Sequence, residues 1–207
     1  MEENYRRYPI GIQNFEQLRS NNCVYIDKTD LIYRLTHTDQ IYFLSRPRRF
    51  GKSLLVSTLE AYFQGKKELF NGLAMERLEQ DWTVYPVLHL DFSLTKYTAV
   101  SDLTGQLNLF LLRWEKLYGK DEAEETPAAR FQGIILRAYE QTGRQIVVLI
   151  DEYDAPLLDS NSDTPCNSSS ATRCASFLAP SRDWGNTCAS SSSPASASSA
   201  SSAPSAN

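Results

Sequence analysis

The tripeptide Gly51-Lys52-Ser53 has the residue types and the order that bind a polyphosphate. Such a ligand needs backbone N–H groups aimed inward, a cation at its outer phosphates and an oxygen ligand for its metal ion. Gly51 would let the backbone approach, the Lys52 ammonium would reach the β- and γ-phosphates, and the Ser53 hydroxyl would hold Mg²⁺. Phe50 and Leu54 flank the tripeptide, and Arg46, Arg48 and Arg49 precede it. Arginine forms bidentate bonds to phosphate oxygens, so these side chains would grip phosphate or support the loop. The usual spacing has a further glycine five positions before Gly51, where this chain has Arg46. Standing alone, the tripeptide reads first as a surface turn.

A second group lies far along the chain, where the apolar run Ile146-Val147-Val148-Leu149-Ile150 ends in Asp151-Glu152. Ligands of parallel sheets collect at the carboxyl ends of strands. Asp151 is suited to orient Mg²⁺ through its water shell, and Glu152 to polarise an attacking water as general base. An acidic pair in this position also serves as a solvated loop or helix cap. The two groups together, in this order and each following an apolar run, point to nucleotide binding, with ATP and Mg²⁺ as the expected ligands. Asp154 is a candidate polar switch at the rim. Asp91 reads equally as a phosphate-side group or a structural cap, and His89, within an apolar run, as a core histidine.

The elements that must position these residues follow from periodicity. Ile41-Tyr42-Phe43-Leu44 is apolar throughout, the pattern of a strand covered on both faces. Beyond Lys52, Leu55, Leu59, Tyr62 and Phe63 recur with helical spacing up to Gly65, so the loop is expected to join a strand to a helix. Upstream, Phe15 and Leu18 precede the short run Cys23-Val24-Tyr25-Ile26, and Asp27-Lys28-Thr29-Asp30 offers a start for a helix burying Leu31, Ile32 and Leu35. Val87-Leu88-His89-Leu90 is a second strand. A long helix then presents Leu103, Leu107, Phe110, Leu111, Trp114, Leu117 and Tyr118 on one face. Thr126-Pro127 starts another helix, carrying Phe131, Ile134, Ile135 and Ala138 and stopping at Gly143, before the strand over residues 146–150. Strands alternating with helices predict an α/β fold, a P-loop NTPase-like three-layer α/β/α arrangement with a mostly parallel sheet, here incomplete.

The chain has 207 residues, 42% hydrophobic, with a formal net charge of −4. That balance argues against a broadly basic nucleic-acid surface, leaving contact through Arg46, Arg48 and Arg49 as the lesser reading. No apolar stretch is long enough for a membrane span, and the charged N-terminus is not a signal peptide, so the cytoplasm is the expected location. Cys23, Cys166, Cys174 and Cys188 lack the paired spacing of a zinc site.

Composition changes abruptly near Asp159. From Ser160 to Asn207 there is no Lys, Glu, Ile, Val, Tyr or Met, and such a segment cannot build a core. The domain reading is therefore residues 1–159 followed by a Ser/Ala-rich tail at 160–207. The tail reads either as a flexible segment or as a frameshifted translation. In the frame that begins at the third base of each codon, a TCN serine always becomes Phe, Leu, Ile or Val. Ser190-Ser191-Ser192-Ser193 then encodes consecutive apolar residues, the pattern of a buried strand.

Four segments, Tyr25-Ile26-Asp27-Lys28-Thr29, Arg46-Pro47-Arg48-Arg49-Phe50-Gly51-Lys52-Ser53, Leu90-Asp91-Phe92-Ser93 and Ile150-Asp151-Glu152-Tyr153-Asp154-Ala155-Pro156, resemble the bacterial AAA-ATPase-like family over about residues 8–159. The resemblance implies that arginine regularly replaces the first loop glycine, so Arg46 belongs to the pattern. It implies a Walker A loop at residues 46–53 and a Walker B pair at Asp151-Glu152. Members of that family commonly continue into a threonine-glycine-isoleucine-serine-lysine-phenylalanine-serine segment, which codons permitted in the shifted frame of the tail can encode. A nuclease-like domain of the PD-(D/E)XK type often follows. Nuclease activity is not carried over to this chain. The expected function is an ATP-binding module of an ATPase, with hydrolysis compromised if the core is truncated. A nucleotide-gated interaction module without turnover and a non-functional truncated product are the competing readings.

Overall fold

The computed structural model describes residues 6–45, 47 and 49–158, so Arg46, Arg48 and the predicted tail at 160–207 lie outside the described residues. Two parallel strands, β1 (Val87–Asp91) and β2 (Val147–Asp151), pair in register from Val87 opposite Val147 to Asp91 opposite Asp151. They form a two-stranded sheet among the described residues. The parallel pairing agrees with the sequence reading, and the α/β class is seen in part, as far as these two strands and the helices around them.

Alternation along β1 sorts its side chains between two helical layers. Leu88 and Leu90, both fully buried, join a core formed with two helices, α5 (Val100–Tyr118) and α6 (Pro127–Thr142). Phe110, Leu111, Trp114, Phe131 and Ile134 fill it, each such side chain contributing about 1.5–3 kcal/mol on burial. His89 is directed the other way, toward α3 (Lys52–Phe63), through a hydrogen bond to Glu60. The sheet therefore lies between α3 and the α5–α6 layer.

Local sequence explains the boundaries of the long helices. Thr126 caps α6 by accepting a hydrogen bond from Ala129 N at 3.1 Å, Pro127 occupies the first turn, and Gly143 ends the helix in the left-handed region at φ 63°. Asp102 opens α5 by accepting from the backbone N–H groups of Thr98 and Ala99, both at 2.9 Å. Arg130 of α6 holds α5 through Glu115 Oε1 at 2.6 Å, Glu115 Oε2 at 2.9 Å and Asn108 Oδ1 at 2.7 Å.

The N-terminal segment packs on the other side of α3. Here α1 (Phe15–Ser20), α2 (Thr29–Thr36) and α4 (Ala74–Leu78) surround a second core of Phe15, Ile32, Tyr62, Phe70, Met75 and Trp82. Asp27 and Thr29 tie it together. Asp27 accepts from Thr29 N at 2.9 Å and from Ala74 N at 2.7 Å, while the Thr29 hydroxyl accepts from Met75 N at 3.0 Å. Phe15 N donates to the Ser57 hydroxyl at 3.0 Å, anchoring α1 to α3.

Three sequence expectations are corrected. Residues 41–44 are not a covered strand: they carry no strand assignment, and Ile41 and Phe43 are 85% and 72% exposed. No neighbouring strand among the described residues is hydrogen-bonded to them, so no paired strand holds them in the sheet. Leu31 is exposed because α2 buries only the face bearing Thr29 and Ile32. Leu117 is exposed as well: its three-residue spacing from Trp114 keeps it near the buried stripe, but it lies in the last turn of α5, which ends at Tyr118.

Candidate functional site

The phosphate-loop candidate ends where α3 begins. Gly51 occupies the position before the helix with φ 75° and ψ 24°, in the left-handed region that glycine enters without steric cost. A Cβ placed there would meet nothing within 4 Å, so the requirement for glycine is conformational rather than spatial. Arg49 is also left-handed, at φ 67°, which makes the approach to α3 a tight turn. Lys52, Ser53 and Leu54 are half-buried in the first turn, whereas Arg49, Phe50 and Gly51 are exposed. The first turn of an α-helix leaves backbone N–H groups without intrahelical partners and carries partial positive charge, both favourable to an anion.

The acidic candidate ends β2. Asp151 is 7% exposed, and its Oδ1 accepts from Glu152 N at 3.0 Å. Glu152 follows at φ 50°, a left-handed backbone in a non-glycine residue that turns the chain sharply away from the strand. Helix α3 packs against β2, and the ring of Phe43, ahead of the loop, meets that of Tyr153, just past Glu152, at a centroid distance of 5.5 Å. The loop's approach and the helix it feeds thus both lie against the strand that bears the acidic pair.

Asp91 and Asp151 are register partners at the same end of the sheet. Asp91 Oδ1 accepts from Ser93 N at 2.9 Å, so it caps the short 3₁₀ turn Phe92–Leu94, as the structural reading expected. Asp154 is half-buried and Tyr153 exposed in the turn that follows β2. His37 is exposed, its Nδ1 2.7 Å from Tyr33 O at the end of α2.

His89 is half-buried and has a partner that the sequence does not reveal, Glu60 on α3, twenty-nine positions away. Burial opposes charge on the imidazole, but the hydrogen bond and charge of Glu60, with the charges of Asp91 and Asp151, hold its pKa above the usual value. The same bond holds the Glu60 carboxyl below its usual value against the opposing effect of burial. This pair fastens the helix that starts at the phosphate loop to the centre of the sheet.

No cluster of three or more His, Cys, Asp or Glu side chains suited to a metal occurs among the described residues. An ATP-bound Mg²⁺ needs no such cage, because it is held by one or two protein oxygens together with phosphates and water. Ser53 at the helix start and the buried carboxylate of Asp151 fit that donor requirement. No helix of the described residues is long and apolar enough to cross a membrane.

Comparison with known proteins gives a family match over residues 9–188, to the family described as predicted AAA-ATPase. The match extends past the composition change near Asp159. A protein of Azotobacter chroococcum mcd 1, described as an uncharacterized protein in the vnfD 5' region, is 39% identical over 157 residues. That region covers 75% of this chain and 30% of the Azotobacter protein. No solved structure matches.

Proposed function

The chain belongs to the predicted AAA-ATPase family, and from that premise we propose that it is a nucleotide-binding module that holds MgATP between residues 46–53 and the Asp151-Glu152 pair. The observation that carries this reading is the placement of Gly51-Lys52-Ser53 at the N-terminus of a helix packed on the strand that ends in Asp151.

Each residue has a task that follows from its chemistry. The backbone N–H groups of the first turn of α3 bind phosphate oxygens, and the Lys52 ammonium offsets charge on the outer phosphates. Arg46, Arg48 and Arg49 supply further phosphate contacts or brace the loop, while Phe50 and Leu54 flank the contact residues. The Ser53 hydroxyl and Asp151 serve as oxygen donors toward Mg²⁺, Asp151 acting through water. Bound Mg²⁺ would neutralise developing charge on the transferred phosphoryl group. Glu152 is the base that orients and polarises the attacking water.

Two changes separate binding from turnover. Lys52→Ala is expected to weaken MgATP binding, and Glu152→Gln to preserve binding while reducing phosphate release by about 10²-fold or more. Phosphate release that both variants leave unchanged would refute the assignment of this site. The exposed run at residues 41–44 favours a second reading, a module that binds ATP without useful turnover, because the approach to the loop is not braced by a sheet. Under that reading wild type and Glu152→Gln would bind equally and both release phosphate at background rate.

A further inference from the structure

Helix α5 buries one side and keeps an apolar strip on the other. Phe110, Leu111 and Trp114 lie in the core, whereas Leu109 and Leu112 are 62% and 49% exposed. At about 100° per residue, Gly105, Leu109, Leu112 and Lys116 share one stripe, and Asp102 and Arg113 border it on the same side. Gly105, Arg113 and Lys116 are exposed like the two leucines, and Asp102 is half-buried.

Single exposed leucines are ordinary on a protein surface, so these two carry nothing by themselves. Gly105 does. It sits inside a 19-residue helix, where glycine weakens the helix relative to alanine. Its φ is not among the positive values, and a Cβ added there would meet nothing within 4 Å. Neither conformation nor packing among the described residues calls for glycine at this position. What the missing Cβ leaves is a flat spot in the apolar strip, where another helix can approach closely.

Charge order along α5 selects the helix that fits. The strip is acidic near its start, at Asp102, and basic near its end, at Arg113 and Lys116. Leu109 is the middle residue of the helix. A second α5 laid antiparallel about a two-fold axis at Leu109 sets that leucine against its own copy and Leu112 over the partner's Gly105. It also sets Asp102 beside the partner's Arg113 and Lys116. Each helix N-terminus then lies beside the C-terminus of its partner, which the helix dipoles favour. A parallel pair would oppose like charges at both ends.

We propose that the outer face of α5 is a self-association surface, on which two copies of this chain pair their α5 helices antiparallel about Leu109. The surface lies across the sheet from α3 and does not depend on nucleotide binding by the loop.

Sedimentation velocity of the full chain over a concentration series tests this. The expected result is a reversible monomer–dimer equilibrium, weakened at least about tenfold by Leu109→Glu and by the double change Arg113→Glu with Lys116→Glu. Gly105→Leu is the sharper variant, because leucine is the better helix former and fills the flat spot. It should raise the thermal stability of the monomer while weakening the dimer about tenfold or more. Oxidation of Leu109→Cys should join two copies through position 109, identified as a linked peptide by mass spectrometry. A chain monomeric at every concentration up to about 100 μM would overturn the proposal. So would a dimer that either Leu109→Glu or Gly105→Leu leaves unchanged, or a Leu109→Cys dimer that forms no link between the two copies of position 109.

Discussion

His89 Nδ1 on β1 lies 2.9 Å from Glu60 Oε2 on α3, with both side chains about a quarter exposed. This bond couples the helix that begins at Lys52 to the middle of the sheet. The His89 pKa is raised in the folded chain, so its contribution is fully present below the unfolded value and is lost as pH rises through the folded value. The Glu60 pKa is depressed, so its contribution is present above the unfolded carboxylate value and is lost as pH falls through the folded one. The pair therefore stabilises most between those limits, in mildly acidic solution. Glu60→Gln is expected to cost about 1–2 kcal/mol at pH 6 and less at pH 8.5. Urea unfolding of both proteins at the two pH values measures this, and an equal cost at both would remove the ion pair from the account.

Arg130 and Glu115 form the most enclosed ion pair of the α5–α6 layer, with side chains 14% and 5% exposed. The hydrogen bonds from Arg130 hold the Glu115 carboxyl below its usual value despite the opposing effect of burial. Glu115→Ala leaves the guanidinium without its two carboxylate contacts and should destabilise by about 3–5 kcal/mol. A much smaller loss in thermal or denaturant unfolding would mean that the two helices are held by their apolar core alone.

Gly51→Ala separates backbone conformation from space. The added methyl meets nothing, but φ 75° is disfavoured for an L-residue by about 1–2 kcal/mol. The variant should remain folded while the turn into α3 shifts and MgATP affinity falls. Unchanged affinity, measured by fluorescent nucleotide titration, would mean that the bound loop does not use this conformation.

Glu152 provides the converse case. At φ 50°, glycine should be tolerated without loss, so Glu152→Gly is expected to match or exceed wild-type stability by up to about 1 kcal/mol while losing phosphate release. Marked destabilisation would show that the carboxylate serves the fold rather than the reaction.

What the sequence disclosed followed range. Thr126, Pro127 and Gly143 mark their helix through local chemistry, and β1, β2 and α3 follow from apolar spacing, so these elements appear where the pattern places them. Residues 41–44 depart from the pattern because an apolar run states what a segment needs, not whether a neighbouring strand supplies it. The Glu60–His89 bond was illegible for a related reason: neither residue has a local pattern that specifies a partner on another element. The tripeptide Gly51-Lys52-Ser53 was legible as residue types and order, whereas its left-handed turn and its apposition to β2 required coordinates. Asp91 illustrates the limit at its sharpest, since the hydrogen bond to Ser93 N alone favours the cap over a phosphate-side role.

The central claim is that the start of α3 is a phosphate site, and calorimetric titration of the full chain with MgATP tests it most directly. The account predicts saturable binding by wild type and affinity at least about tenfold lower in Lys52→Ala, corresponding to about 1.4 kcal/mol, with unchanged thermal unfolding without nucleotide. Equal affinities for the two proteins, or no binding by a folded wild-type chain, would contradict it.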